Sequence, residues 1–310
     1  MKHLVTGGAG FIGSHLIDNL MKENEEVTCI DNLSTGNLDN IKKWLDHPKF
    51  TFINDDISYS SISAKFDFIW HLACPGSPKH YQKSPIKTTE TIFMGTNNML
   101  SLAKKSNAKI LFASSSEIYG DPIIHPQKEN YRGNVNPIGI RSCYEEGKRI
   151  GESLCLVHKR VYGTEIRIAR IFNCYGPRML RDDGRVIINF IIDSINKKSI
   201  SIFGDGSQTR SFCFIDDLII GLKLLMKSNY NLPVNLGSDN EISINKLSEL
   251  IKKKFNKNIK NIKLPFREDD PKRRNPDIGL AKNLIDWHPK TSLDEGLELT
   301  IKYVKKYYKL

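Results

Sequence analysis

Tyr144 and Lys148 stand four residues apart, a spacing that sets both on one side of a helix, about one turn from each other. A tyrosine with an ordinary pKa of about 10 is a poor base at neutral pH, but an ammonium and a nicotinamide cation beside it favour the phenolate. Such a pair can take the proton from an alcohol. The spacing alone is common on surface helices; what gives it meaning is a triplet of hydroxyls, Ser114-Ser115-Ser116, followed by Glu117 at the end of an apolar run, and a glycine loop far upstream.

That loop, Thr6-Gly7-Gly8-Ala9-Gly10-Phe11-Ile12-Gly13, directly follows a predicted strand and opens a predicted helix. Glycines at 7, 10 and 13 permit a tight turn, a close backbone approach to a pyrophosphate and tight helix packing, and the helix N-terminus offers free N–H groups to the phosphates. The pattern G-x-x-G-x-x-G differs from the G-x-G-x-x-G of the classical dehydrogenases. Gly7, Gly10, Phe11, Ile12 and Gly13 are therefore assigned to a dinucleotide. Asp31, at the end of the second strand, can accept hydrogen bonds from ribose hydroxyls and would repel a 2′-phosphate, which favours NAD over NADP; a plain turn role for Asp31 is the alternative. Asn32 follows it, and Asp56 and Ile57 fall by position where adenine is contacted.

These residues need a scaffold that carries them at strand ends. The first 175 residues alternate short apolar runs with helix-period segments: strands at Lys2–Thr6, Val27–Ile30, Thr51–Asn54, Phe66–Leu72, Lys109–Ser114 and Glu165–Ile171, helices at Phe11–Lys22, Pro85 to about Lys105 and about Ser142 to Tyr162. This predicts an α/β fold, a Rossmann-type doubly wound parallel sheet, with ligands at the carboxyl ends of its strands. Ser84 before Pro85 is an expected N-cap. After Pro177 come Gly- and Arg-punctuated loops, a helix Val186–Ile195, a strand Ser199–Phe203, a helix from near Asp216, a Lys-rich helix capped by Ser243, a Pro- and Arg-rich loop 265–277 and two short helices. They form a smaller, interwoven C-terminal substrate-binding lobe. The expected division is 1–175 with about 212–238 for the NAD-binding domain, and 176–211 with 239–310 for the lobe.

The 310 residues, 39% hydrophobic and 26% charged, exclude collagen-like and disordered classes. The mean hydropathy is −0.38, no run approaches the roughly 20 apolar residues of a membrane span, and the N-terminus lacks a signal-peptide pattern; a cytoplasmic protein is expected. Of the net charge of +11, 17 basic against 9 acidic residues fall between Asn245 and Leu310. Lys252, Lys253, Lys254, Lys257, Lys260, Lys305 and Lys306 lack interleaved aromatics, so a solvated face is expected rather than nucleic-acid binding. No two of the six cysteines form C-x-x-C and the histidines show no paired ligand spacing, so no metal is expected.

Further segments carry a resemblance over nearly the whole chain: His71-Leu72-Ala73-Cys74-Pro75, Ser115-Ser116-Glu117-Ile118-Tyr119-Gly120, Asn134-Val135-Asn136-Pro137-Ile138-Gly139, Tyr144-Glu145-Glu146-Gly147-Lys148-Arg149, Arg170-Ile171-Phe172-Asn173-Cys174-Tyr175-Gly176-Pro177-Arg178-Met179, Asp183-Gly184-Arg185-Val186, Gln208-Thr209-Arg210, and Asp269-Asp270-Pro271 with Arg274 and Pro276-Asp277. Together they resemble the extended short-chain dehydrogenase/reductases acting on nucleotide sugars, and among them the UDP-glucuronate decarboxylase (UDP-xylose synthase) family. The 4,6-dehydratases carry Thr-Asp-Glu at the triplet, with Asp as the acid for a leaving hydroxyl; Ser116 is a very poor acid. The 4-epimerases usually lack an acid where Glu117 stands. Two departures from the family are Ser115 for the usual Thr, which keeps the hydroxyl, and Gly76 for Ala.

The resemblance implies a closed cycle. Tyr144 removes the O4 proton, Ser115 positions that oxygen, Lys148 holds Tyr144 and the nicotinamide ribose, and C4 gives hydride to NAD. The resulting ketone lies β to the C6 carboxylate, so CO2 is lost to an enolate that is protonated at C5 and reduced again at C4. By the same resemblance Glu117 and Arg210 serve decarboxylation, although Arg210 has the alternative of clamping the diphosphate. Ser116, Asn173, Arg185, Phe203, Arg210 and Arg274 are candidates for the sugar nucleotide, with Arg178 and Arg181 as lesser ones, and Leu72 and Thr91 for the cofactor. A homodimer joined through a four-helix bundle of the helices bearing Thr91 and Tyr144 is also implied. The runner-up is a relative that releases the UDP-4-keto-pentose with NADH. A nucleotide-sugar epimerase or dehydratase, a non-catalytic NAD-binding regulator and a polyanion-binding protein rank below it.

Overall fold

In the computed structural model residues 1–196, 199–255 and 259–308 are described; Lys257 of the basic segment lies outside them. Strands β1 (Lys2–Thr6), β2 (Glu26–Ile30), β3 (Phe50–Ile53), β4 (Phe68–His71), β5 (Lys109–Ser115) and β6 (Ile166–Ile171) alternate with helices α1 (Phe11–Lys22), the single turn α2 (Pro78–Tyr81), α3 (Pro85–Ser106) and α4 (Ser142–Tyr162). Then follow β7 (Cys174–Tyr175), α5 (Val186–Ile195), β8 (Ile200–Phe203), β9 (Thr209–Ser211), β10 (Cys213–Phe214), α6 (Ile215–Lys227), β11 (Pro233–Leu236), β12 (Glu241–Ser243), α7 (Ile244–Lys253), β13 (Asn261–Leu264), β14 (Arg273–Arg274), α8 (Gly279–Ile285) and α9 (Leu293–Tyr307).

Seven strands form one sheet in the order β11-β6-β5-β4-β1-β2-β3, and all its pairings are parallel. The fold is the predicted doubly wound one. The order reverses between β1 and β4, the switch point at which such sheets open a crevice at the strands' carboxyl ends. Alternation along each strand divides the core: Val5 and Leu111 face Leu16, Ile17 and the α6 side, whereas Leu4, Ile110 and Phe112 face Ile92, Leu100 and Cys155 of α3 and α4. Burying both faces is what an all-parallel sheet requires. Helix α4 comes so close to β5 that a Cβ on Gly151 would lie 2.4 Å from the Phe112 ring, and this contact sets the height of Tyr144 and Lys148 over the sheet.

The smaller sheets build the wall opposite. β9 lies between β12, antiparallel, and β14, parallel; β13 pairs with β8, and β10 with β7. β14 falls inside the segment 265–277 that the sequence reads as loop, because two residues have no periodicity to detect. Two other expectations are corrected. Ser84 occupies the N-cap position of α3 but its side chain caps nothing, and α9, at 15 residues, is not short. Ser243 does cap α7, accepting from the Lys246 N–H at 3.2 Å. Among the described residues no helix is long and apolar enough to cross a membrane.

Candidate active site

The glycine loop is shaped by main-chain crowding. Gly7 has φ +69°, and a Cβ on Gly13 would lie 2.2 Å from the Gly7 carbonyl oxygen. The first turn of α1 carries neither a capping side chain nor an acidic residue of its own, which leaves its N–H groups facing the cavity. Thr6 pins the loop from below: its hydroxyl oxygen accepts from the N–H groups of Leu72 and Ala73, both at 3.1 Å. Its proton therefore goes to His71 Nδ1 at 3.0 Å, leaving Nε2 to donate to Thr96 Oγ1 at 3.0 Å. Burial drives the His71 pKa down to about 3, and the ring is a neutral strut.

Gly7, Gly10, Phe11, Ile12, Gly13, Asp31, Asn32, Asp56, Ile57, Leu72 and Thr91 all line the cavity above this loop. Asp31 plays the turn role and also lines the cavity. It ties the turn by accepting from Ala9 N at 3.0 Å and Leu33 N at 2.8 Å; burial pushes its carboxyl up against those donors. Asp56 accepts from Asn32 Nδ2 at 2.9 Å and pairs with Lys87 at 3.0 Å. Burial alone would raise its pKa, yet its Ser58, Lys87 and Asn32 partners hold it at about 2. A dinucleotide fits this cradle: an uncapped helix end for phosphates, no room for side chains on the loop, and an acid at the ribose position.

The cavity continues past Ile12, Leu72 and Ala113 into a second chamber lined by Ser115, Ser116, Tyr144 and Lys148. Ser115 ends β5, where its hydroxyl caps the following 3-10 turn, accepting from Glu117 N at 3.2 Å. Tyr144 stacks on Tyr81 at 4.8 Å. Burial pushes its phenol up, with Cys74 adding to the rise and Ser115 and Arg185 opposing it. Lys148 donates to the Ala113 carbonyl at 2.7 Å, its Nζ lies 5.6 Å from the Tyr144 ring centre, and burial lowers its pKa. Behind this trio Ser114 donates to Glu152 at 2.5 Å, and Arg170 grips the same carboxylate at 2.9 and 2.7 Å, fixing α4 against β5 and β6.

The chamber's far wall is a cluster of arginines and carboxylates. Glu117 accepts from Arg141 Nη2 and from Arg274 Nη1. Burial would raise its carboxyl, but the two guanidiniums outweigh that and hold it far below the usual range. Arg141 also donates from Nη1 to Asp270 at 2.9 Å and from Nε to Glu145 at 3.2 Å. Asp270 in turn accepts from Arg210 Nη2 at 2.9 Å. Arg274 is 3% exposed, lines the cavity and keeps Nε and Nη2 without a protein partner.

Arg210 lines the same wall, but its guanidinium serves Asp270 and the Thr209 carbonyl, and the guanidiniums on Glu117 are those of Arg141 and Arg274. Arg185 chelates Asp183 at 2.5 and 2.8 Å and borders both chambers. Asn173 donates to the Ser211 carbonyl at 3.3 Å, and Phe203 carries the Arg267 guanidinium 3.8 Å above its ring; both line the chamber. Arg178 turns away to Asp18 at 2.5 Å, and Arg181 lines neither chamber. Sequence reasoning missed Arg141, Glu145, Lys87 and Arg267. The i, i+4 pairing of Arg141 with Glu145 across Tyr144 was the readable signal for the first two.

Comparison with known proteins follows the same lines. The family model described as GDP-mannose 4,6 dehydratase matches residues 4–300. The chain is 50% identical over 300 residues to UDP-glucuronic acid decarboxylase 3 of Arabidopsis thaliana, covering 96% of this chain and 87% of that protein. To UDP-glucuronic acid decarboxylase 1 of Xenopus tropicalis it is 48% identical over 303 residues, covering 98% and 72%. Among solved structures, the UDP-glucuronic acid 4-epimerase of Bacillus cereus in complex with UDP-glucuronic acid and NAD superposes with a TM-score of 0.90 at 31% identity, over 99% of this chain and 100% of that one. The UDP-glucose 4-epimerase of Thermotoga maritima with UDP-glucose gives 0.92 at 28%, over 99% and 100%.

Proposed function

Membership of the UDP-glucuronic acid decarboxylases, the family to which this chain belongs, is the premise from which we propose that it converts UDP-glucuronate to UDP-xylose and CO2 with NAD as a retained cofactor. It is an enzyme of this type. When bound, NAD supplies a hydride acceptor that returns the hydrogen within the same cycle, and a positive charge beside the phenol. Gly7, Gly10, Phe11, Ile12 and Gly13 would hold its pyrophosphate, Asp31 and Asn32 a ribose, Asp56 and Ile57 the adenine, with Leu72 and Thr91 flanking and Tyr144 and Lys148 at the nicotinamide end. In this reading 1–175 with 212–238 bind the cofactor, and 176–211 with 239–310 close over the sugar nucleotide.

Tyr144 takes the O4 proton, its phenol held by Ser115 and by stacking on Tyr81. Ser115 fixes O4, and Lys148 orients the group beside it from Ala113. The C4 ketone makes the C6 carboxylate a β-keto acid, whose CO2 departs with the electron pair delocalised onto the carbonyl. Glu117 and Arg274 then have separate tasks. Arg274 offers Nε and Nη2 to the carboxylate, a bidentate match for guanidinium. Glu117, ionised and locked by Arg141 and Arg274, presses like charge on that carboxylate, an interaction relieved as neutral CO2 leaves. Arg210, Asn173, Arg185, Ser116 and Phe203 remain for the rest of the UDP-sugar.

The observation that carries this reading is the pair of unpartnered, buried Arg274 donors beside an ionised glutamate, in one chamber with Tyr144 and Ser115. Purified protein given UDP-glucuronate and NAD should release CO2 and UDP-xylose with no lasting NADH absorbance. Stoichiometric NADH with a 4-keto-pentose would replace the closed cycle by oxidative decarboxylation, and absence of CO2 would overturn the reading.

A homodimer belongs to the same proposal. Ile86 and Phe93 on α3, at 77% and 46% exposure, and Ile150, Val157 and Val161 on α4, at 41%, 40% and 63%, repeat at seven- and four-residue steps along two packed helices. A second copy's α3 and α4 would cover this stripe as a four-helix bundle. Val157→Glu should shift sedimentation from dimer to monomer; an unchanged dimer would place the interface elsewhere.

A further inference from the structure

The decarboxylation leaves one proton to be found. Tyr144 takes the O4 proton and must return it when C4 is reduced, so C5 needs a second proton from another source. Glu117 is held ionised by two guanidiniums and cannot by itself be that source at neutral pH. Three carboxylates and four guanidiniums (Arg141, Arg210, Arg267 and Arg274) share the wall, and they are unequally matched. Glu117 meets Arg141 and Arg274, and Asp270 meets Arg141 and Arg210. Glu145, 3% exposed, meets only the Nε edge of Arg141 at 3.2 Å, on a guanidinium already engaged twice. Once the substrate carboxylate arrives, Arg141, Arg210 and Arg274 face Glu117, Asp270 and that carboxylate, Arg267 lies over Phe203 on the Asp270 side, and an ionised Glu145 would have only the shared Nε edge of Arg141. A buried carboxyl without its own counter-charge keeps its proton.

We propose that Glu145 is the proton store for C5: a neutral carboxylic acid that shares Arg141 with Glu117 and whose single proton moves first to the Glu117 carboxylate and from there to the enolate. In balance, the C5–H bond forms from the enolate electron pair, the C4 carbonyl is restored, and Glu145 is left as a carboxylate that regains a proton from water. The net uptake of one proton offsets the negative charge of the carboxylate lost as CO2. The surroundings agree: burial and Glu117 push the Glu145 carboxyl up to about 7, against Arg141 and Arg274. The groups facing it are Glu117 after β5, Arg141 at the head of its own helix, Arg274 on β14 and Tyr81 on α2. Glu145 does not itself line the chamber; it is a positioning residue acting through Glu117.

The inference rests on the decarboxylase reading, and its test separates the two. Infrared titration of the resting protein should show a protonated carboxyl band that disappears around neutral pH and is missing in Glu145→Gln, a readout independent of turnover. In assays of CO2 release and UDP-xylose formation, the wild-type kcat should fall as pH rises past about 7. Glu145→Gln should lower kcat about tenfold or more, with KM little changed, and abolish that pH limb; Glu145→Asp should restore the limb in part. A wild type that releases no CO2 defeats the function, whatever the infrared shows. A wild type that turns over while Glu145→Gln keeps both the titrating band and the pH limb defeats the proton store.

Discussion

The cofactor cradle and the arginine–carboxylate wall meet at Tyr144 but are built from different materials. The cradle is mostly backbone: glycines that exclude side chains, an uncapped helix end and one buried acid that ties the turn. The wall is made of charged side chains from four separated segments, Glu117 after β5, Arg141 before α4, Arg210 on β9, and Asp270 with Arg274 around β14. A backbone site needs only one contiguous stretch in the right turn. A side-chain site depends on long-range register, and here each charge is defined by which partners the fold delivers to it. This difference predicts that damage to the cradle and damage to the wall will look unlike each other.

The largest effect should come at the junction. Tyr144→Phe removes the base that serves oxidation and return alike, and should lower turnover by roughly a hundredfold to ten-thousandfold, measured as CO2 release and as NADH consumption with a UDP-4-keto-pentose. Within the wall, Arg274→Ala should lower CO2 release by about 10²–10³-fold. Arg210→Ala should act mainly on KM for UDP-glucuronate; equal losses of kcat from both would erase the distinction between the two arginines.

Stability effects rank next. Arg141→Ala strips a buried guanidinium from the buried Glu145 and the half-buried Glu117 and Asp270 at once, and breaking buried pairs in this way costs about 3–5 kcal/mol, readable by denaturant unfolding. In the cradle, a Gly13→Ala methyl would sit 2.2 Å from the Gly7 carbonyl, an overpacking strain of about 1–3 kcal/mol. It should weaken NAD binding in calorimetry while the wall's charges stay in place. The smallest signal is a slope. Glu145 keeps a pKa of about 7 in the fold against about 4.3 in an unfolded chain. Its contribution is therefore complete below that unfolded value and lost as pH rises through 7. Unfolding free energy should decline from this group between pH 5 and 8, and Glu145→Gln should remove that part of the decline.

The same contrast decides what was legible in the sequence. The cradle could be read because residues 6–13 lie between a strand and a helix whose bounds, Lys2–Thr6 and Phe11–Lys22, follow from local pattern. Tyr144 and Lys148 could be read because one helix carries both. The wall could not, and the arginines show why. Arg210 and Arg274 are register partners on β9 and β14, so the motif around Arg210 leads to the wall, but not to which of the two guanidiniums bonds Glu117. Which of the two turns to Glu117 is set by a two-residue parallel pairing that leaves no periodic trace. Arg141 and Glu145 flank Tyr144 in sequence, yet their surroundings depend on Glu117 and Asp270, 24 and 129 residues away from Arg141.

The most direct test of the division is to give wild type, Tyr144→Phe and Arg274→Ala two substrates each: UDP-glucuronate with NAD, followed by CO2 release, and a UDP-4-keto-pentose with NADH, followed by loss of absorbance. The second substrate has no carboxylate and so needs the cradle and Tyr144 but not the wall. Arg274→Ala should fail on the first and retain near wild-type reduction of the second, while Tyr144→Phe fails on both. Parallel loss of both reactions in Arg274→Ala, with the protein folded and NAD bound, would contradict the account, because oxidation and decarboxylation would then not be separate tasks of separate walls.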